Sequence, residues 1–151
     1  MKKRLSIFLS CMYGFCFCSI AQVSEQKSII PILNDAEYHC DKLHQEYYSI
    51  SKFEIDQVNG SVSRYTPLKL IGGKEYKILL FGELDRIDDL DLKIYGKSGD
   101  DWILVKWVNK SGKILETDFE TPDYESYEFE IGVQKYAPGY DKGRYCLIVA
   151  F

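Results

Sequence analysis

The chain has 151 residues, of which 23 are acidic and 19 basic, and its formal net charge at pH 7 is −4. Nucleic acids and anionic membrane surfaces attract basic patches, so this acidic balance argues against both as ligands. The length is sufficient for one domain with a hydrophobic core of its own.

Residues 1–21 have the pattern of a secretory signal peptide. Three basic residues stand at the start, an apolar run covers residues 5–20, and Ser19 and Ala21 are the small residues expected before a cleavage site. We predict cleavage after Ala21 and export to a periplasmic or extracellular location. The remaining chain would have 16 basic and 23 acidic residues and a net charge of −7, because the signal's only charges are its three basic residues.

Two alternatives to a cleaved signal remain open at this stage. A membrane anchor would need about 20 apolar residues, and this run is shorter and interrupted by serines and a glycine. A lipoprotein would be cut at Cys11, Cys16 or Cys18. After cleavage at Ala21, no further membrane span is predicted.

Cleavage would leave two cysteines, Cys40 and Cys146. In an oxidising compartment such a pair indicates one disulfide, which would tie the N-terminal segment to the last strand. Two buried free thiols are the alternative, because a sequence does not fix the geometry that a disulfide requires.

Residues 22–33 are predicted to be a linker, and residues 34–151 a single domain that opens with a helix over residues 35–49. Asn34 and Asp35 are favourable N-cap residues, and apolar residues then recur at spacings of three and four. A helix of this length is marginal in isolation, so we expect it to pack on the rest of the domain.

After the helix, apolar and polar residues alternate, as is typical of half-buried strands. Strands are predicted at residues 68–70, 76–81, 90–95, 102–108, 114–115, 127–133 and 145–151, with a loop at residues 136–142. Gly72 and Gly73 predict a hairpin between the first two of these strands, because glycine adopts positive φ without steric cost. The last strand is apolar on both faces, so it should lie at the centre of a sheet.

These elements predict a mainly β fold, a jelly-roll-type β-sandwich of seven to eight strands with one N-terminal helix packed on it. A small barrel is the alternative, because alternation does not determine whether a sheet closes on itself.

Three segments resemble the bacterial pre-peptidase C-terminal domain, a jelly-roll sandwich related to collagen-binding domains. Residues 68–76 are similar to its strand, glycine turn and Tyr-led strand, and residues 88–95 to its Asp-x-Asp-Leu strand, before a turn at Ser98-Gly99. Residues 143–149 are similar to its closing Gly-x-Tyr strand. In that family the domain usually follows a secreted enzyme, whereas here a cysteine-bearing helix precedes it. The resemblance implies an exported accessory or binding role without catalysis, and it implies no ligand.

Six aspartates form a candidate Ca²⁺ site near the third predicted strand and the loop that follows it: Asp85, Asp88, Asp89, Asp91, Asp100 and Asp101. Calcium binds six to eight oxygen ligands, which clustered carboxylates supply. The spacing does not match an EF-hand loop. A solvated acidic edge that blocks pairing between sheets is the alternative explanation.

Exposed aromatic residues form a second candidate site, for a glycan or a protein. If Ile103, Val105 and Trp107 face the core, then Trp102 and Leu104 face outward, where a tryptophan can stack on a sugar or enter an interface. Tyr95 is a nearby aromatic candidate. Tyr136 and Tyr140 lie in the predicted loop, where binding residues concentrate. The alternative is that these aromatic residues belong to the core.

No catalytic residue is predicted, because no nucleophile elbow, zinc-protease motif or phosphate-binding loop is present. The favoured function is therefore an exported, non-catalytic binding or accessory module. A structural, envelope-associated protein with a loop-stabilising calcium site is one alternative. A small hydrolase that uses two carboxylates is another, because carboxylates are plentiful, although no spacing singles out a pair.

Overall fold

The computed structural model describes residues 29–60, 63–108 and 110–151. One helix, α1, covers residues 29–45. The strands are β1 (Ile50–Asn59), β2 (Arg64–Leu68), β3 (Glu75–Gly82), β4 (Ile87–Ser98), β5 (Asp101–Val108), β6 (Ile114–Glu120), β7 (Tyr127–Tyr136) and β8 (Lys142–Ala150). Within these ranges, no helix is both long enough and apolar enough to cross a membrane.

The eight strands form two four-stranded antiparallel sheets. Sheet A has the order β1-β8-β3-β6, and sheet B has the order β2-β7-β4-β5. This order is that of a jelly roll, whose strands alternate between two sheets in two Greek keys. The predicted jelly-roll sandwich with one N-terminal helix is confirmed, and the barrel alternative is wrong because both sheets are open.

The main core lies between the two sheets. It is built from the side chains that point inward from the strands of both sheets. Among them, Leu92, Ile94, Phe129 and Ile131 are fully buried. Strand β8 pairs with β1 on one side and β3 on the other, so it is central as predicted. Both of its faces are apolar because one faces this core and the other faces the helix.

Helix α1 packs on the outer face of sheet A. Ile32, Ala36 and Leu43 from the helix are buried against Leu79 and Ile148 from the strands. This second apolar cluster confirms that the helix packs on the sandwich. It also explains why sheet A has a hydrophobic outer face.

The helix is displaced towards the N-terminus relative to the prediction. Residues 29–33, predicted as linker, are helical, and Asn34 and Asp35 lie inside the helix instead of capping it. The helix ends near residue 45, where Tyr48 N–H donates to the Leu43 carbonyl and Tyr47 N–H to the His44 carbonyl. Tyr47 adopts a left-handed φ of 67°, the position that glycine usually occupies in this type of helix end. Predictions for residues 1–28 lie outside the described residues.

Three strand predictions also need correction. Strand β1 was not predicted, because a bulge between Ile50 and Lys52 interrupts the alternation at its start. The Gly72-Gly73 turn exists, but it joins β2 in sheet B to β3 in sheet A, so it does not form a hairpin. Strand β6 extends to Glu120 because its acidic residues alternate with the buried Leu115 and Phe119.

Polar contacts join the two sheets at the edge formed by β1 and β2. Glu54 on β1 accepts hydrogen bonds from Thr66 Oγ1 at 2.8 Å and from Tyr145 Oη at 2.9 Å. Burial alone would raise the pKa of Glu54, but these hydrogen bonds and one from Lys52 lower it. Burial also raises the pKa of Tyr145. Arg64 pairs with Asp56 across the same edge.

Candidate binding face

No part of the described chain covers the outer face of sheet B. Strand pairing arranges its outward side chains in rows that run across the sheet from β2 to β5. The first row contains Tyr65, Glu130, Lys93 and Trp107. The second contains Pro67, Glu128, Tyr95 and Leu104, and the third places Lys97 beside Trp102. We call this surface the open face.

A β-bulge determines which side chains of β5 lie on the open face. Lys106 pairs with Ile94 while Leu104 pairs with Tyr95, which leaves one extra residue in β5. The extra residue shifts the alternation, so that side chains on either side of the bulge share a face despite their odd spacing. Trp102 and Leu104 face outward as predicted.

The prediction that Trp107 faces the core is wrong, whereas Ile103 lies on the core side of β5, opposite Gly96, but is not buried. Trp107 is 52% exposed on the open face because it follows the bulge, and Ile103 is 44% exposed because β5 is an edge strand. Trp102 and Leu104 are 43% and 48% exposed. Strand β5 therefore presents four large apolar side chains to solvent.

A hydrogen-bonded network is centred on Glu130 in the first row. Its Oε1 accepts from Ser63 Oγ at 3.0 Å and from Lys93 Nζ at 3.0 Å, and its Oε2 accepts from Tyr95 Oη at 2.7 Å. Burial alone would raise the pKa of Glu130, but these hydrogen bonds lower it. Burial and the bond to Glu130 raise the pKa of Tyr95. The network fixes the Tyr95 ring on the open face.

Trp107 is held by the neighbouring carboxylate. Its indole Nε1–H donates to Asp91 Oδ1 at 2.6 Å, and Lys93 Nζ lies 3.7 Å from Asp91 Oδ2 and 6.0 Å from the Trp107 ring centre. The exposed ring is therefore anchored at its polar edge. Holding an apolar surface rigid before binding reduces the entropy lost when a partner docks.

A shallow depression of about 260 Å³ lies beside this network, lined by Tyr65, Tyr95, Trp102, Glu128 and Glu130. Two of its residues, Tyr95 and Trp102, were predicted as binding residues, and the structure brings them together. Sequence analysis did not select the other three. The alternation in β7 already placed the two glutamates on one face, but nothing local indicated that β2 and β4 flank that strand.

Tyr136 and Tyr140 do not belong to this site. Tyr136 pairs with Ile87 at the start of β4, whereas Trp102 pairs with Lys97 near its end, so they lie at opposite ends of sheet B. The Tyr136 hydroxyl donates to the Gly60 carbonyl at 3.0 Å, and Arg86 lies over the Tyr140 ring. Both tyrosines support the loops at their end of the sandwich.

The six aspartates predicted as a calcium site do not converge. Among the residues that the structure describes, no three acidic, histidine or cysteine side chains form a group that could hold a metal ion. Asp88 pairs with Lys113 and Lys135, and Asp89 accepts from Gly112 N–H at 2.7 Å. Together with Asp91, which holds Trp107, these carboxylates support the strand pairing around β4.

Cys40 and Cys146 are free thiols, so the predicted disulfide is absent from this structure. Both lie in the cluster between α1 and sheet A, and Cys146 is fully buried there. Burial raises the pKa of Cys146 to about 12, with a smaller contribution from the neighbouring Cys40. The arrangement matches the alternative of two free thiols, of which Cys146 is buried and Cys40 is half-buried.

A larger hollow of about 380 Å³ lies between the start of α1 and the β3–β4 turn, with Asp35, Glu83 and Asp85 in its lining. Glu83 is buried, and it accepts from Arg144 N–H at 2.8 Å and from Arg144 Nη1 at 3.1 Å. This carboxylate therefore fastens the turn to β8, which is a structural role.

No protein-family model matches this chain, and no curated protein matches it. Among solved structures, it is similar to the Yersinia pseudotuberculosis-derived mitogen, with 18% identity and a TM-score of 0.49, over 68% of this chain and 85% of that one. It is also similar to the pre-peptidase C-terminal domain of a Bacillus anthracis collagenase, with 12% identity and a TM-score of 0.49, over 65% and 87% of the two chains.

A third similar structure is a periplasmic inhibitor of g-type lysozyme from Aeromonas hydrophila, with 11% identity and a TM-score of 0.48, over 66% and 83% of the chains. The family that the sequence resembles is thus among these structures. The resemblance is one of β-sandwich fold, which the two sheets of this chain establish directly. At these identities the similarities assign neither ligand nor partner.

Proposed function

We propose that this protein is an exported, non-catalytic binding module that contacts a partner protein through the open face. The observation that carries the proposal is the exposure of three large apolar side chains of β5 on the open face, Trp102, Leu104 and Trp107. A contiguous exposed apolar patch of this kind marks an interaction surface in soluble proteins. Export rests on the signal-peptide pattern of residues 1–21.

A protein is favoured over a glycan because the patch is not purely aromatic. Sugars stack on the flat rings of tryptophan and tyrosine, and the exposed aliphatic chain of Leu104, which lies between the two tryptophans on β5, offers them no such surface. Protein interfaces bury aliphatic and aromatic side chains together, with aromatic anchors near the centre. The composition of β5 matches the second pattern.

The sheet edges favour a protein for a second, independent reason. Edge strands expose backbone groups to other chains, and proteins usually protect them with charges, proline or short strands. Strand β2 has five residues including Pro67, and β6 carries Glu116, Asp118 and Glu120. Strand β5 has eight residues and carries exposed apolar side chains instead. Its edge is therefore suited to an extended segment of a partner.

The carboxylates support a non-catalytic role. A carboxyl group that acts as a general acid near neutral pH needs a raised pKa. The pKa values of Glu54 and Glu130 are lowered by the hydrogen bonds described above, and that of Glu116 is lowered chiefly by its hydrogen bond with Lys77. None of these three groups is suited to donate a proton to a leaving group.

Site-specific photo-crosslinking tests the proposal. A photoreactive residue at Leu104, on the open face, should capture a discrete protein in the cells that produce this chain. The same residue at Glu120, an exposed position on the β6 edge of sheet A, is the matched control. A captured protein, once purified, should bind the unmodified module, and the Trp102→Ala variant should bind it at least about tenfold more weakly.

Equal labelling from both positions, or no loss of binding in Trp102→Ala, would remove the open face as the interface. Binding of a defined oligosaccharide that depends on Trp102 would replace the protein partner with a glycan. If neither a protein nor a glycan binds, the structural, envelope-associated role is favoured instead.

A further inference from the structure

Two glutamates on the open face have opposite environments. Glu128 and Glu130 are two residues apart on β7, so both side chains point outward. Glu130 accepts three hydrogen bonds, one of them from Lys93. Glu128 is half-buried, and no side chain of the described residues forms a hydrogen bond or ion pair with it. The network therefore neutralises one carboxylate and leaves its neighbour unpaired.

The unpaired carboxylate lies among aromatic rings. In its own row Glu128 stands between Pro67 and Tyr95. With Tyr65 and Trp102 it lines the depression described above. Three aromatic rings around one unpaired carboxylate offer ring faces and a negative charge to the same bound group.

We propose that this depression binds a basic side chain, arginine or lysine, of the partner protein. This inference rests on the proposed function and names the anchor within the open face. The carboxylate of Glu128 would accept hydrogen bonds from the cation, and the apolar stem and charged head would pack against Tyr65, Tyr95 and Trp102. Cations bind favourably over the faces of aromatic rings, tryptophan best of all.

The charges already on the face leave this position to a partner. Lys93 is occupied by Glu130 and Asp91, and Lys97, which lies on the same face beside Trp102, forms no ion pair with Glu128, so neither lysine compensates Glu128. An apolar side chain that covered the depression would strip water from Glu128 without replacing its hydrogen bonds, which is costly. A basic side chain both satisfies the carboxylate and uses the rings. The acidic balance of the whole chain favours the approach of a basic partner.

An NMR titration with N-acetyl-arginine amide tests this assignment. The indole N–H resonances of Trp102 and Trp107 report separately on the depression and on the row beside it. We expect a saturable shift that is larger for Trp102 than for Trp107, with millimolar affinity that falls as sodium chloride is raised. N-acetyl-lysine amide should give a similar but weaker response. The neutral N-acetyl-glutamine amide should bind at least about tenfold more weakly than the arginine probe.

Two variants make the test specific. Glu128→Gln preserves the shape of the side chain and removes its charge, and it should weaken the arginine probe about tenfold. Its thermal midpoint should stay close to that of the unmodified protein, because the Glu128 carboxylate has no polar contact with the residues that the structure describes. Glu120→Gln removes an unpaired exposed glutamate on sheet A and should leave both the binding and the thermal midpoint unchanged.

Three outcomes would overturn the anchor. The neutral probe could bind as tightly as arginine, Glu128→Gln could bind arginine normally, or tetramethylammonium could bind more tightly than both amino-acid probes. The last result would indicate a quaternary ammonium headgroup instead of a protein side chain. If crosslinking from Leu104 succeeds while the arginine probe fails, the open face remains the interface and only the anchor is wrong.

Discussion

The outer faces of the two sheets have the same strand geometry and opposite surroundings. On sheet A, Leu79, Cys146 and Ile148 are covered by helix α1 and are fully or almost fully buried. On sheet B, Trp102, Leu104 and Trp107 occupy comparable outward positions and are exposed. The apolar residues of the first face stabilise the fold, whereas those of the second are available to a partner. Hydrophobic alternation in a strand does not distinguish these two roles.

The largest expected difference between the two faces is in the free energy of unfolding, when a leucine on each face is replaced by alanine. Leu43→Ala removes a buried contact between α1 and sheet A and should lower the free energy of unfolding by about 2–5 kcal/mol. Leu104→Ala removes an exposed side chain and should change it by less than about 0.5 kcal/mol. Urea denaturation measures both. Equal losses would mean that the open face is covered in solution or that the helix is not docked.

The reactivity of Cys146 measures how firmly the helix covers sheet A. Burial raises the pKa of its thiol to about 12, so the folded protein should be alkylated by iodoacetamide at pH 8 at least about a hundredfold more slowly than the unfolded one. Mass spectrometry of the peptide gives the rate. Resistance to alkylation after unfolding without a reductant would instead reveal the disulfide with Cys40.

On the open face, the Glu130 network should make a smaller contribution to the free energy of unfolding than Leu43 does. The folded pKa of Glu130 lies below its ordinary value of 4.5, so its stabilisation is complete above that value and is lost as the pH falls through the folded pKa. Glu130→Gln should cost about 1–3 kcal/mol at pH 7 and flatten the pH dependence of stability below about pH 5.

Glu128→Gln is the matched control for that experiment. Because the Glu128 carboxylate has no hydrogen-bond or ion-pair partner within the described ranges, this variant should keep the pH dependence of the unmodified protein. An identical profile for Glu130→Gln and the unmodified protein would show that the network does not hold the open face together.

A still smaller change in the free energy of unfolding, in this case an increase, is expected from a substitution at the end of α1. Tyr47 is 95% exposed and adopts a left-handed φ of 67°, which costs a residue with a side chain about 1–2 kcal/mol. Tyr47→Gly should raise the free energy of unfolding by about 1 kcal/mol, whereas Tyr47→Ala retains the strain and should not. Thermal unfolding of the two variants tests this prediction. A loss of stability in Tyr47→Gly would imply that the tyrosine ring itself packs against the fold.

Calcium should have the smallest effect on the stability of the protein. Because Asp88, Asp89 and Asp91 are committed to lysines, a backbone N–H and Trp107, we expect equal thermal midpoints in calcium and in a chelator. A ligand that binds the native state raises its stability by mass action, so a clear increase with calcium would contradict this expectation.

Local patterns predicted much of the fold. Alternation located β4, β5 and β7, and β8, which is apolar on both faces, was correctly predicted to be central. The spacing of apolar residues near Leu43 correctly predicted a helix. The predicted start of the helix was wrong because Asn34 and Asp35, which are good N-cap residues, are also tolerated in the second turn of a helix that begins at residue 29. The Gly72-Gly73 turn was identified, but a turn signal does not indicate whether the next strand stays in the same sheet.

The sequence by itself determined the alternation that places Glu128 beside Glu130 on one face of β7, and it favoured the jelly-roll class, but it left both an outward and a core position open for Trp102 and Leu104. Only the tertiary structure decided that α1 covers sheet A and leaves sheet B open, that a bulge turns Trp107 outward, and that Tyr65, Tyr95 and Trp102 meet around Glu128. The reason is physical: alternation depends on the local backbone, whereas covering a face and joining three strands into one site depend on contacts between residues far apart in the chain.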